Sequence, residues 1–125
     1  MSSKKKILLV LLGTLLLISI FDYHYISKIE HDRETITISS ETKKILVFYR
    51  EDCIDCQKIM PTLIRYNHID NKLLFINMNN PKNRRYIKDY HLTSVPAVVS
   101  NSAHYEGTDI NKMIKIIRNG SKKDG

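Results

Sequence analysis

Hydrophobic residues form one long unbroken run near the N-terminus and several short runs after it. The long run covers residues 7–21, with one glycine, one threonine and one serine as its mild interruptions. As a helix rising ~1.5 Å per residue, it falls short of a hydrocarbon core ~30 Å thick, and continuing through Ile26 makes up the difference. Residues 7–26 are therefore predicted to be a transmembrane signal-anchor in contact with membrane lipid.

A cleaved export signal and a buried helix of a soluble protein are the two alternatives for this segment. Phe21 is followed by Asp22 and Tyr23, with no pair of small residues at the −3 and −1 positions and no adjacent cysteine to be lipidated. An uncleaved anchor is therefore favoured. The basic segment 1–6, which contains three lysines, predicts a cytoplasmic N-terminus and an extracytoplasmic domain on a single-pass protein of the cell membrane.

The rest of the chain divides into a linker, one domain and a short tail. Residues 27–34 are charged without apolar periodicity and are interpreted as the linker, residues 35–119 as the domain and residues 120–125 as a polar tail. Ile36 and Ile38 alternate with polar residues, which predicts a short edge strand. Continuous apolar runs, typical of strands covered on both faces of a parallel sheet, occupy 45–49, 73–76 and 97–99, with a further short strand expected at 103–106.

Between the predicted strands the apolar positions follow a helical period. Cys56, Ile59, Met60, Leu63 and Ile64 fall on one helix face. Two further helices are marked by Tyr86, Ile87 and Tyr90 and by Ile110, Met113, Ile114 and Ile117. Alternating strands and helices predict an α/β fold, a central mixed sheet flanked by helices, preceded by the single transmembrane helix.

The length and the net charge of the chain limit the classes of function that it can have. A chain of 125 residues is enough for one domain. The net charge of +7 is concentrated in part at 4–6 and 122–123, beside the apolar run and in the tail. No aromatic residues alternate with a basic stripe, so no nucleic-acid partner is expected.

Cys53 and Cys56, the two cysteines, form a C-x-x-C motif. Cys56 belongs to the apolar helix face, and Cys53 stands at the start of that helix, where unpaired backbone N–H groups favour a thiolate. An exposed Cys53 thiolate can attack a disulfide, and Cys56 can then resolve the mixed disulfide. The alternatives are two unreactive cysteines or a zinc site. Zinc needs two further ligands, which the dispersed His68, His91 and His104 do not provide as a close pair, so no metal is expected.

These residues together resemble the thioredoxin superfamily. The strand 45–49 leads directly into the cysteine motif, Pro61 follows Cys56 by five positions, and Val95–Pro96 matches the family's cis-proline, with Gly107 before the last helix. The resemblance covers the domain and implies a trimmed thioredoxin-like fold, a redox-active disulfide Cys53–Cys56 and no other cofactor.

The family's cis-proline loop faces the active-site cysteines and pairs with extended substrate backbone. Val95 and Pro96, with Ile54 and Asp55 between the cysteines, are therefore expected to bind substrate.

The sequence departs from the family in three ways. Only 39–43 is available for the usual helix between the first two strands, Val47 stands where many members have a buried aspartate, and no tryptophan precedes the motif. Glu51, Asp52 and Asp55 place negative charge around Cys53, which disfavours its thiolate and favours a moderately reducing or isomerase-like pair over a strong oxidant. The alternatives are that solvent and salt screen these acids, or that Asp52 simply caps the helix.

The anchor and the motif together resemble surface thioredoxin-like proteins of Gram-positive bacteria, some of which are accessory to secreted peptides such as bacteriocins. This implies a membrane-anchored thiol–disulfide oxidoreductase with Cys53 as nucleophile and Cys56 as resolving thiol. Its substrates would be exported cysteine-containing proteins or peptides, and a membrane redox partner would reset the pair. The alternative is a non-catalytic peptide-binding or adaptor module at the membrane surface.

Overall fold

The structure, a computed structural model, describes residues 1–123. In chain order its elements are α1 (Ser3–Glu30), β1 (Ile45–Tyr49), α2 (Ile54–Asp70), β2 (Leu73–Asn77), a 3-10 helix (Pro81–Arg85), α3 (Tyr86–Asp89), β3 (Ala97–Val99), β4 (His104–Glu106) and α4 (Ile110–Lys123). Residues 124 and 125 of the predicted polar tail lie outside the described residues. The helix α4 continues past Asn119, where the domain was predicted to end.

The four strands form one mixed sheet in the order β2-β1-β3-β4. The central strand β1 is parallel to β2 and antiparallel to β3, with Val47 opposite both Phe75 and Val98. All five residues of β1 are buried, as the continuous apolar run predicted. The antiparallel β3–β4 pair puts Glu106 beside Ala97, at the end of the sheet where β1 finishes.

Helices cover both faces of the sheet. On one face α2 and α4 pack against Val47 and Tyr49, and Leu63 and Met113 are fully buried there. The five positions predicted to form the apolar face of α2 are all buried. On the other face the core is formed around Phe48 by α3 and its surroundings. The predicted arrangement of a mixed sheet flanked by helices is confirmed.

The helix α1 has an exposed part and a part that packs on the domain. The apolar side chains of residues 7–21 are largely exposed, and within 1–123 α1 is the one helix long and apolar enough to cross a membrane. Near its C-terminus Ile26 is buried in the core, and the Tyr49 hydroxyl donates to the Ile29 carbonyl oxygen at 2.9 Å. This packing explains why the helix continues through residues 27–30 of the predicted linker, since tertiary contacts stabilise a helix more than local propensity does.

The predicted edge strand at Ile36 and Ile38 was wrong. The described structure has no strand there, because side chains rather than a neighbouring strand bind this backbone. The Ile36 N–H donates to Asn83 Oδ1 at 2.9 Å, and the Tyr86 hydroxyl donates to the Ile36 carbonyl oxygen at 2.8 Å. The Tyr86 oxygen also accepts the Ile38 N–H. The side chains of Ile36 and Ile38 nonetheless pack on the sheet.

Candidate redox site

Cys53 is the N-cap residue of α2. Its backbone is extended (φ −94°, ψ 117°), and its Sγ accepts a hydrogen bond from the Cys56 N–H at 3.2 Å. The sulfur thus occupies the place that a capping oxygen takes in other helices, where unpaired N–H groups stabilise negative charge. The cap is therefore Cys53 and not Asp52, which corrects one of the two structural roles considered for that acid.

Cys56 lies one turn further along α2 and is 1% exposed. Both cysteines are free thiols, and Cys53 is half-buried. Burial, together with the hydrogen bond to Cys53, raises the pKa of Cys56 to about 12. Val47, at the position where many relatives of the resembled family carry an aspartate, is fully buried in the same apolar cluster as Cys56. That strand position therefore brings no carboxylate to the buried thiol.

The loop before β3 brings Val95 and Pro96 to the cysteine pair. The Val95–Pro96 peptide bond is cis, and the Cys53 thiol donates to the Val95 carbonyl oxygen at 3.7 Å. Within residues 1–123 the Val95 backbone N–H has no hydrogen-bond partner. Ile54, 72% exposed, and the exposed Asp55 lie in the first turn of α2. The structure therefore places all four predicted substrate-binding residues at this one end of the domain.

Glu106 on β4 holds the loop that leads into Val95. Its carboxylate accepts from the backbone N–H groups of Thr93 (3.1 Å) and Ser94 (2.8 Å), from both of their hydroxyls, and from His104 Nε2 at 2.8 Å. Burial alone would raise the pKa of Glu106, but the hydrogen bonds from Thr93, His104 and Ser94 outweigh it and lower that pKa to about 2. A charged Glu106 therefore fixes the two residues immediately before Val95.

Gly107 fixes the loop from its other side. Its N–H donates to the Pro96 carbonyl oxygen at 3.0 Å. Its φ of +143° lies in the region that favours glycine, and a Cβ at this position would lie 2.6 Å from the Tyr105 hydroxyl oxygen. The requirement for glycine before the last helix is thus conformational and steric.

The three acids predicted to surround Cys53 are each paired with a cation. Glu51 binds Arg33 and Asp52 binds Arg50, each through two hydrogen bonds, and Lys58 Nζ lies 3.3 Å from Asp55. The hydrogen bond from Arg33 lowers the pKa of Glu51 despite its burial, and those from Asn79 and Arg50 lower the pKa of Asp52. Glu51 and Asp52 are therefore ionised, and a cation lies close to each of the three acids.

Two asparagines that sequence reasoning did not single out as site residues shape the loop before Cys53. Asn77 is 1% exposed, and its amide donates to Glu51 Oε1 at 2.9 Å and to the Asp32 carbonyl oxygen at 3.2 Å. Asn79 accepts the Glu51 N–H at 2.7 Å and donates to Asp52 Oδ1 at 3.2 Å. Their position directly after the apolar run of β2 was the available signal, because polar residues at a strand end often meet the site there.

Comparison with known proteins agrees with this architecture. No protein-family model matches the chain, and no curated protein matches its sequence. Among solved structures it is similar to the crystal structure of Chlamydomonas reinhardtii thioredoxin f2, with a TM-score of 0.50 and 18% sequence identity. The match covers 78% of this chain and 90% of that chain. At this level of identity the similarity establishes the fold, so the chain has a thioredoxin fold with a C-x-x-C pair at the start of α2.

Proposed function

We propose that the chain catalyses thiol–disulfide exchange, with Cys53 as the nucleophile and Cys56 as the resolving thiol. The observation that carries this proposal is the position of the Cys53 sulfur. It caps α2 at 3.2 Å from the Cys56 N–H and lies 3.7 Å from the Val95 carbonyl oxygen. A thiolate there is stabilised by the helix N-terminus and faces the edge at which an extended substrate can bind.

The reaction follows from the two thiols. The Cys53 thiolate attacks one sulfur of a substrate disulfide, the substrate S–S bond breaks, and its other sulfur leaves as a thiolate. Cys56 then loses its proton and attacks Cys53, which releases the second substrate sulfur and forms the Cys53–Cys56 disulfide. The substrate gains two electrons and the pair loses two. The reverse sequence donates a disulfide to a reduced substrate.

Substrate binding is assigned to the loop at Val95. Its unpartnered N–H and its carbonyl oxygen can pair with one extended substrate strand, in the manner of β-augmentation. Ile54 offers an apolar surface beside Cys53, with Asp55 next to it. These features suit a backbone-directed enzyme that accepts many sequences around a cysteine.

The setting is a membrane surface. We assign α1 as a single-pass anchor with the lysines of residues 4–6 in the cytoplasm and the redox domain outside. Substrates are then exported proteins or peptides that contain cysteine, with secreted peptides of the bacteriocin kind as one class by analogy. A membrane redox partner resets the cysteine pair.

A titration of the full chain in detergent against glutathione tests the activity and its direction. We expect reversible exchange at a potential between those of disulfide isomerases and thioredoxins, about −180 to −270 mV, because Cys56 is a high-pKa thiol and no histidine stands between the cysteines. A value near about −120 mV, typical of a strong oxidant, would contradict this direction.

Two single variants separate an enzyme from an adaptor. Cys53→Ser should abolish exchange, whereas Cys56→Ser should accumulate a mixed disulfide between Cys53 and substrate. A protein that binds peptide equally well with and without Cys53, and shows no exchange, is an adaptor module instead.

A further inference from the structure

The domain has two opposite ends, which we call the site end and the basal end. The site end carries Cys53, where β1 finishes. The basal end carries Ile45 and Leu73, where β1 and β2 begin, and the end of α2 at Asp70. The helix α4 finishes there too, because Gly120 lies against Ile45.

The anchor helix enters the domain from the basal end. Asp22 of α1 binds Arg65 near the end of α2 at 2.6 Å, and Tyr25 contacts His68. Further along α1, Ile29 reaches Tyr49 at the site end of β1. Glu30 and His31 line one cavity with Gln57 and Met60, in the first half of α2. The contacts of α1 therefore move from the end of α2 toward its start, and the exposed part of α1 leaves the domain on the side of the basal end.

Positive charge is concentrated at the basal end. Its exposed or half-buried cations are Lys43, Lys44, Arg65, Lys72, Lys115 and Arg118. Among residues 1–120 its carboxylates are Asp22, Glu41 and Asp70, of which Asp22 is bound to Arg65 and Asp70 lies 3.8 Å from Lys72. A groove of about 690 Å³ between α2 and α4 is lined by three of these cations (Lys72, Lys115 and Arg118), and Asp70 is its carboxylate. At the site end the three acids beside Cys53 are balanced one for one by cations, whereas the described part of the basal end has six cations for three acids.

The exposed apolar run of α1 is short, which brings the basal end close to the lipid. Residues 7–21 span about 22 Å as a helix, against a hydrocarbon core of ~30 Å. Ile26, which would extend the run, is buried in the domain instead. A short span is accommodated by thinning the bilayer and by bringing flanking residues to the interface. Ile69, 86% exposed at the end of α2, is an apolar side chain in that flanking position.

We propose that the basal end lies on the membrane and binds anionic phospholipid headgroups, with Lys44, Lys72 and Arg118 as headgroup contacts and Ile69 at the interface. This inference rests on the membrane anchor assigned under the proposed function. Clustered lysines and arginines next to a membrane span are attracted by anionic lipid. The twelve residues of α2 from Ile54 to Arg65 then hold the nucleophile about 18 Å further from the bilayer.

The test uses tryptophan fluorescence, since the natural chain has no tryptophan. The full-length Ile69→Trp variant, and Ile54→Trp at the site end as its matched probe, are reconstituted in vesicles whose acyl chains are brominated near the headgroup. We expect Ile69→Trp to lose most of its emission and Ile54→Trp to keep most of it. The difference should increase when phosphatidylglycerol replaces part of the phosphatidylcholine.

Charge reversal completes the test. In the Ile69→Trp background, Lys44→Glu with Lys72→Glu should reduce quenching in phosphatidylglycerol vesicles, whereas Lys58→Glu with Lys82→Glu, an equal charge change at the site end, should not. If the protein resists alkaline carbonate extraction but the two probes are quenched equally, or if quenching does not depend on anionic lipid, the inference is overturned and the membrane anchor is retained. Extraction by carbonate would overturn the anchor and the lipid contact together. Thiol exchange, measured on the Ile69→Trp samples, reports separately on the redox function.

Discussion

The carboxylate of Glu106 accepts both the backbone N–H and the hydroxyl of Ser94, at 2.8 and 2.9 Å. Ser94 directly precedes Val95, whose carbonyl oxygen faces the Cys53 thiol. A carboxylate on the last strand thus sets the position of the edge that we assign to substrate, although it does not itself touch the cysteines.

Replacing Glu106 by glutamine should destabilise the protein and loosen this loop. Hydrogen bonds to a charged acceptor are worth about 1–3 kcal/mol, and we expect a loss of that order in the free energy of unfolding at pH 7. The Glu106 pKa falls from its ordinary 4.5 to about 2. Its contribution is therefore complete above about pH 4.5 and is lost as the pH falls toward 2.

Denaturant unfolding of the full chain in detergent at several pH values measures this effect. The Glu106→Gln variant should lose the part of the acid dependence that lies between pH 4.5 and 2. Glu41→Gln, at an exposed glutamate, should keep the natural profile. Identical profiles for the natural chain and Glu106→Gln would show that Glu106 is not the group responsible.

The resolving step should accelerate with pH. Burial holds the pKa of Cys56 at about 12, so its thiolate is scarce near neutrality and increases about tenfold for each pH unit. Stopped-flow decay of a preformed Cys53 mixed disulfide should follow that slope from pH 7 to pH 9. A rate that is flat over this range would mean that another group removes the proton.

The two acids before Cys53 should differ in their contribution to stability. Both bind an arginine through two hydrogen bonds, but the Glu51 side chain is 10% exposed and that of Asp52 is 61% exposed. Glu51→Gln should cost about 1–2 kcal/mol, since it leaves Asn77 and Arg33 without part of their acceptor. Asp52→Asn should cause no measurable loss, as is usual for exposed pairs. Equal unfolding midpoints for the two variants would contradict this difference.

Gly107→Ala should destabilise the loop at Pro96. The new methyl group would meet the Tyr105 hydroxyl, and alanine is strained at φ +143°, which together should cost about 1–3 kcal/mol. The matched control is Gly13→Ala, whose methyl group meets nothing within 4 Å. The Tyr105 hydroxyl also accepts the Asp109 N–H at 3.0 Å, so Tyr105→Phe alone is the reference for the double variant. Gly107→Ala should cost less in the Tyr105→Phe background than in the natural chain, and thermal unfolding would measure all of these variants.

Periodicity predicted the parts of the fold that local burial controls. The face of α2 from Cys56 to Ile64 and the buried strand β1 follow from apolar spacing, because each must fill the core next to the sheet. The same reasoning failed for Ile36, since its backbone partners are the side chains of Asn83 and Tyr86, 47 and 50 residues away. No local pattern can report such partners.

The position of the two sulfurs in the fold could be predicted from the sequence, and the residues that surround them could not. The spacing of Cys53 and Cys56 and the family resemblance predicted a candidate site at the start of α2, where the structure has both cysteines. Counting only the acids near Cys53 overestimated the negative charge there, because Arg33, in the segment before β1, binds Glu51. Glu106 was not predicted, since the backbone N–H groups that bind its carboxylate, those of Ser94 and Thr93, lie twelve and thirteen positions away in a loop.

The burial of Ile26 makes the stability of the domain depend on α1. A protease that released the domain after Glu30 would remove Ile26 from the core and leave the Tyr49 hydroxyl without the Ile29 carbonyl oxygen. The released fragment would unfold more readily than the full chain. A form of the domain that keeps its stability must therefore include α1 from Asp22 onward, whose carboxylate binds Arg65, and cleavage after Glu30 would shorten the lifetime of the folded domain.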